Sequence, residues 1–121
     1  RFGLMGGQFM SASLTAENRS LATPVSIQTL TTTADFQDVV SFGLIAARRV
    51  AEVLQNTRYV IAFELICAAQ AADIRGCTKL GQQGRAWHAR VRELIPYLDR
   101  DIALTGYLES IVAHILGGHS R

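Results

Sequence analysis

Between residues 31 and 43 the sequence reads TTTADFQDVVSFG, which sets Thr33, Asp35, Gln37 and Asp38 just ahead of a long and strongly apolar run. A glutamine does not titrate near neutral pH, so Gln37 cannot serve as a general base; its carboxamide can only orient or hydrogen-bond a partner. In the first turn of a helix it would sit beside free backbone N–H groups at the positive end of the dipole. That environment favours an anion such as a substrate carboxylate. The two acids have a simpler reading: Asp35 as N-cap and Asp38, three residues on, in the capping-box position.

Other residue types with chemical potential are scattered. The three histidines, His88, His114 and His119, fall in separate segments without His-x-x-x-His spacing or nearby cysteine ligands. A closed metal site needs three or four convergent ligands, so no metal is expected. Nucleotide-binding glycine loops and a Gly-x-Ser-x-Gly elbow are likewise missing from the sequence. Glu64 interrupts the apolar run YVIAFELICAAQAA and reads as a buried or interfacial acid satisfied by an arginine rather than as a catalytic group. Arg48, Arg49, Arg58 and Arg75 punctuate the same stretch and are candidates for pairing across an assembly interface. Cys67 and Cys77 lack Cys-x-x-Cys spacing, and Cys67, inside the apolar run, reads as a reduced structural thiol.

The elements that must position these groups are helices. Residues 3–22 place Leu4, Phe9, Met10 and Leu14 near helical spacing, with small residues between them that permit close approach of a neighbouring helix. Residues 23–34 open on Thr-Pro and are rich in β-branched side chains, which predicts an extended connection. From the Asp35 cap no proline intervenes before Gly76, a natural C-terminal stop, so one very long helix is expected over about 36–75. It would span roughly 57 Å, whereas a compact domain of this size has a radius of gyration of only about 14 Å. It is also apolar around most of its circumference and must be covered on all sides. The expectation is an obligate homo-oligomer.

Residues 85–95 form an amphipathic helix with Trp87, Val91, Leu94 and Ile95 inward, ended by Pro96. A last helix over 101–116 presents Ile102, Leu108, Ile111, Val112 and Ile115, and the tail GGHSR is expected to fray. The class is all-α, a long-helix bundle with shorter C-terminal helices, and the 121 residues form a single helical region.

Composition excludes several functions. A content of 49% hydrophobic and 18% charged residues argues against disorder. A net charge of +2, with basic and acidic residues interleaved, gives no phosphate-tracking face, so no nucleic acid is expected. The apolar run falls short of the ~20 clean residues of a membrane span, and the first residues carry no sustained apolar signal segment. A cytoplasmic location follows as the expectation. The chain opens without an initiating Met, which is consistent with a fragment.

The segments GQFMSASLTAENRSLATPVS, FQDVVSFGLIAARRVAEVLQN and FELICAAQAADIRG together resemble the C-terminal third of the histidine, phenylalanine and tyrosine ammonia-lyases and the aromatic 2,3-aminomutases. The resemblance covers nearly the whole chain and is closest to bacterial tyrosine ammonia-lyases. It implies a tetrameric parent enzyme built around very long helices, with active sites shared between subunits. The parent would eliminate ammonia from tyrosine or phenylalanine to give an arylacrylate. The position matched by Gln37 lies near the electrophilic cofactor in that family, with Glu in histidine lyases and Gln in phenylalanine and tyrosine lyases. Gln37 thus implies an aromatic, non-histidine substrate. Thr33 matches a position that is Glu in plant phenylalanine lyases and departs from it. The family's methylidene imidazolone arises from an internal Ala-Ser-Gly that this sequence lacks, and the family's catalytic tyrosine has no counterpart here. By itself the chain is therefore expected to be inactive. A histidine lyase, an aminomutase, and a non-catalytic helical oligomerisation module are the alternatives.

Overall fold

The computed structural model describes residues 4–117. Of the expected features, His119 and most of the C-terminal tail lie outside the described residues. Among the described residues four α-helices carry the fold: α1 (Met5–Leu21), α2 (Gly43–Arg75), α3 (Gln82–Leu94) and α4 (Thr105–His114), with short 3-10 turns at Val25–Gln28 and Cys77–Lys79. Among the described residues no strand forms, and the all-α expectation holds. The connection expected to be extended after Thr23 is instead interrupted by the first 3-10 turn, whose Val25 is buried.

The α1 helix runs antiparallel to α2, as three contacts in order demonstrate. Gly7 lies against Phe63, Asn18 bonds Asn56, and the carbonyl of Thr23 accepts from Arg49 Nη1 at 3.0 Å. The glycine at position 7 lets the two helix axes come close, as the small residues of this segment predict. Between the helices, Asn56 is fully buried and donates from Nδ2 to Glu17 Oε2 (2.9 Å) and Asn18 Oδ1 (3.0 Å). A buried amide is tolerated because its hydrogen bonds are supplied.

The apolar core is confined to the C-terminal half of α2. Ala62, Phe63, Ile66 and Ala69 pack there with Val91 and Ile95 of the α3 region and with Leu108, Ile111 and Val112 of α4. Toward its N-terminus α2 is bare, with Leu44, Ile45, Val50 and Leu54 all exposed. The single chain thus leaves these apolar positions in the N-terminal half of α2 uncovered, while its C-terminal half is packed.

Several boundaries differ from expectation. The α2 helix begins at Gly43, not near residue 36, and so spans 33 residues. The reason is local: Thr32 and Gln37 exchange backbone hydrogen bonds, N to O at 3.0 and 3.2 Å, committing the Gln37 groups a helix would need. Thr29 Oγ1 then accepts from the N–H of Val40 at 2.7 Å, holding the chain out of helix further on. The predicted stop is met, since α2 ends at Arg75 and Gly76 has φ +86°. The last helix starts at Thr105 rather than at 101, because residues 96–104 form an irregular connection anchored through Leu98 to Gln70, and Ile102 is left partly exposed. Trp87 is not inward: it remains 42% exposed, with the Arg90 guanidinium over its ring at 4.9 Å. Ala68 and Ala72 of α2, which line the same shallow depression as Trp87, are too small to cover an indole.

Candidate functional site

The segment that carries Gln37 and Thr33 is a tight turn rather than the first turn of a helix. Thr33, Ala34 and Asp35 have φ of 58°, 51° and 64° in succession, the left-handed region that L side chains enter at a cost of order 1–3 kcal/mol each. Aspartate tolerates it best; alanine and threonine do not. The turn persists because it is closed at its base by the Thr32–Gln37 backbone pair, supplemented by a long contact from Thr32 Oγ1 to Gln37 Oε1 at 3.4 Å. Asp35 and Asp38 are therefore not helix caps. Asp35 lies inside the turn, Asp38 just beyond its closing pair, and α2 starts after Phe42 with no side-chain cap. Gln37 and Thr33 are brought together at the two ends of one turn, both exposed, with Phe36 between them 85% exposed.

The remaining candidates do not join them. Glu64 is exposed on α2, so it is not buried within this chain; the helix turns it outward while Phe63 and Ile66 point to the core. Its charge reaches Cys67, whose thiol is pushed up first by burial and then by that carboxylate. Arg48 is exposed, and Arg49 is spent on the carbonyl of Thr23. Both cysteines are free thiols. An open cleft of about 510 Å³ lined by Ile74, Tyr97, Leu98 and Leu104 lies at the far end of α2 from the Gln37 turn.

A second cluster escapes sequence reading. Asp73, Cys77, His88 and Arg92 converge where α2 ends against α3. His88 Nε2 lies 2.7 Å from Asp73 Oδ1 and 3.6 Å from Cys77 Sγ, and Cys77 Sγ lies 3.4 Å from the same carboxylate oxygen. Arg92 takes the other oxygen, with Nε at 2.8 Å and Nη2 at 2.6 Å from Oδ2. Burial pushes the Asp73 carboxyl up, but hydrogen bonds from Arg92, His88 and Cys77 outweigh it and hold it below the usual carboxylate range. The premise that no cysteine lies near a histidine is thus overturned. The signal was present in two i,i+4 pairs, Asp73/Cys77 and His88/Arg92, but pairing them required knowing that α2 and α3 meet at this point.

Residues 1–93 match the family described as aromatic amino acid lyase, and the chain belongs to that family. Its relatives include the tyrosine ammonia-lyase of Cupriavidus metallidurans, 42% identical over 96% of this chain and 22% of the relative. The histidine ammonia-lyase of Natranaerobius thermophilus is 40% identical, again over 96% of this chain and 23% of the relative. Among solved structures, the phenylalanine aminomutase of Pantoea agglomerans superposes with a TM-score of 0.92 at 57% identity, covering 96% of this chain and 23% of that one. A tyrosine aminomutase from Streptomyces globisporus gives 0.85 at 38% identity over 92% and 21%. The chain thus spans less than a quarter of the length of the proteins it matches. Among the described residues, no helix is long and apolar enough to cross a membrane.

Proposed function

We propose that this chain is the C-terminal part of a cytoplasmic aromatic amino-acid ammonia-lyase, which as a whole enzyme eliminates ammonia from tyrosine or phenylalanine to give an arylacrylate. Gln37 is its contribution to the active site, as a hydrogen-bonding group that orients substrate or prosthetic group. The observation that carries this reading is the presentation of Gln37: an uncharged carboxamide, exposed, on a turn whose backbone is fixed by its own closing pair. Thr33, at the other end of the turn, borders the same surface.

The prosthetic group of such enzymes, methylidene imidazolone, supplies an electrophile that makes the substrate amine a leaving group. No Ala-Ser-Gly occurs in these 121 residues, so they can hydrogen-bond such a group but cannot generate it. Isolated, the chain has no product. Gln37 neither gives nor takes a proton; it holds its partner in register, with its backbone fixed by the pair with Thr32 and its carboxamide oxygen 3.4 Å from Thr32 Oγ1. The exposed stripe Leu44, Ala47, Ala51, Leu54, Ile61 and Ala68 along α2, spaced by threes, fours and sevens, supports a homo-oligomer, a tetramer in the whole enzyme, that covers it.

A second reading, aminomutase, is favoured by the greater sequence identity to the phenylalanine aminomutase than to the lyases. One experiment addresses both. The whole enzyme is supplied with tyrosine, phenylalanine and histidine in turn, and products are resolved by chromatography. Arylacrylate is expected; selective urocanate would assign a histidine lyase, and a β-amino acid as main product an aminomutase. No turnover of any of the three by the whole enzyme would leave the oligomerisation module. Gln37→Ala is expected to lower kcat/KM by roughly 10–100-fold, the worth of one hydrogen bond to a charged group, without moving the unfolding midpoint.

A further inference from the structure

The geometry points to a divalent-cation site of the zinc class at Asp73, Cys77 and His88, where the C-terminus of α2 meets α3. We propose that these three side chains ligate one ion, with the fourth position open to solvent. The inference is independent of the lyase reading.

Three donor types converge here because of how α2 stops. Gly76, at φ +86°, ends the helix and turns the chain so that Cys77 opens a 3-10 turn with its sulfur returned beside Asp73. His88, from the middle of α3, completes the triangle. The three ligand atoms lie within 4.8 Å of one another.

The triangle has the dimensions of a tetrahedral face. With Zn–S about 2.3 Å and Zn–N and Zn–O about 2.0 Å, the S–N and S–O edges of a tetrahedron are about 3.5 Å and the N–O edge about 3.3 Å. The observed edges are 3.6 Å for Cys77 to His88, 3.4 Å for Cys77 to Asp73 and 2.7 Å for His88 to Asp73. Two edges already fit. The third must open by about 0.6 Å, as expected when a shared proton is replaced by a cation at the centre.

The outer partners suit the same ion. Arg92 binds Asp73 through Oδ2 alone, with both Nε and Nη2, so Oδ1 stays turned toward sulfur and imidazole. A ligating carboxylate whose second oxygen is held by a donor is the usual arrangement around bound metals. Arg92 is itself fixed by Gln70 Oε1 at 3.1 Å and by the carbonyl of Pro96 at 2.9 Å. The side chains of His88 and Asp73 are 19% and 22% exposed, enough for an ion to enter. Without an ion, Cys77 and Asp73 both address the single Nε2 of His88, which has one proton or one lone pair to offer. Binding releases the Cys77 thiol proton to solvent as the thiolate–metal bond forms, and the proton between His88 Nε2 and Asp73 Oδ1 is exchanged through solvent for one on Nδ1, so that His88 ligates as a neutral imidazole through Nε2.

The test is titration of the purified, chelator-treated whole protein with Co²⁺, read by absorbance. A thiolate-to-cobalt charge-transfer band at one ion per chain is expected, with d–d intensity typical of four-coordination and displacement by Zn²⁺. Cys77→Ser should abolish that band and His88→Gln should remove the four-coordinate intensity, while Cys67→Ser leaves both. Absence of the charge-transfer band in the unsubstituted protein, or its survival in Cys77→Ser, overturns the assignment, and neither outcome depends on activity.

Discussion

Gly7 and Phe63 touch where α1 crosses α2: a Cβ added at Gly7 would stand 2.0 Å from Phe63 Cε2 and 2.2 Å from Cζ. No side chain fits there unless the ring moves, and the ring is 9% exposed within the core. Gly7→Ala is expected to cost about 1–3 kcal/mol through overpacking, read as a lowered denaturation midpoint. Adding Phe63→Leu should recover part of that loss, a non-additivity that marks direct contact. An unchanged midpoint in Gly7→Ala would refute the close crossing.

Further along the same helix pair, Asn56 offers a buried donor to Glu17 and Asn18. Asn56→Ala should destabilise by about 1–3 kcal/mol, because partners that were satisfied lose a donor. Asn56→Asp is expected to be worse at neutral pH, since it sets a second carboxylate against Glu17 in a desolvated position. Its deficit should shrink on acidification as one carboxyl takes up a proton. A deficit independent of pH would exclude this charge conflict.

Within the 33–35 turn, Ala34 holds φ 51° with nothing but its backbone to justify it. Glycine removes the left-handed penalty of roughly 1–2 kcal/mol and gives back about 0.5–1 kcal/mol in unfolded-state entropy. Ala34→Gly is therefore expected to be neutral to modestly stabilising, and Ala34→Val to destabilise by more than about 1 kcal/mol. Thermal melts of the two variants check the sign; a stabilising valine would mean that the turn is not left-handed.

Cys67 should be slow to alkylate. Burial raises its thiol pKa and the Glu64 carboxylate raises it further. A folded pKa above the unfolded value means that the folded state keeps the proton longer. The associated stability is present below the unfolded thiol pKa of about 8.5 and is lost as pH rises through the folded value. The alkylation rate, followed by mass spectrometry of the Cys67 peptide, should climb at higher pH than that of a free thiol. Glu64→Gln should move the profile to lower pH, and no movement would discount the carboxylate's part.

Periodicity made most of the helices legible. Gly76 announced the end of α2, Thr23-Pro24 the end of α1, and Pro96 the end of α3, because each is a backbone constraint that acts locally. The start of α2 was not legible. Asp35 and Asp38 have helix-capping chemistry, yet a cross-turn pair between Thr32 and Gln37, two positions with no special propensity, decided otherwise. Trp87 misled for a related reason: a helical wheel gives its face, but not that the residues sharing its surface include the small Ala68 and Ala72 and that the group over its ring is the Arg90 guanidinium. Of the candidate site, Gln37 was singled out by its residue type and by resemblance and Thr33 by resemblance alone, while the left-handed turn that carries them was not foreseen. The Asp73–Cys77–His88 triangle is a property of the α2–α3 crossing and is written in no contiguous stretch.

The distribution of the core along α2 makes that helix a lever. Its fulcrum is the packed segment around Phe63, and Gly43, where the Gln37 turn joins, lies twenty residues away, or about 30 Å at 1.5 Å per residue. A tilt of one degree at the fulcrum sweeps the turn through roughly 0.5 Å, the whole positional tolerance of a working catalytic group. The contacts of Asn56 with α1 and of Arg49 with the Thr23 carbonyl just after it steady only one side of the arm. In the role proposed for Gln37, its aim would be set by the copy proposed to cover the bare side, and a substitution at Leu44 or Leu54, distant from any chemistry, would be felt there as a loss of aim.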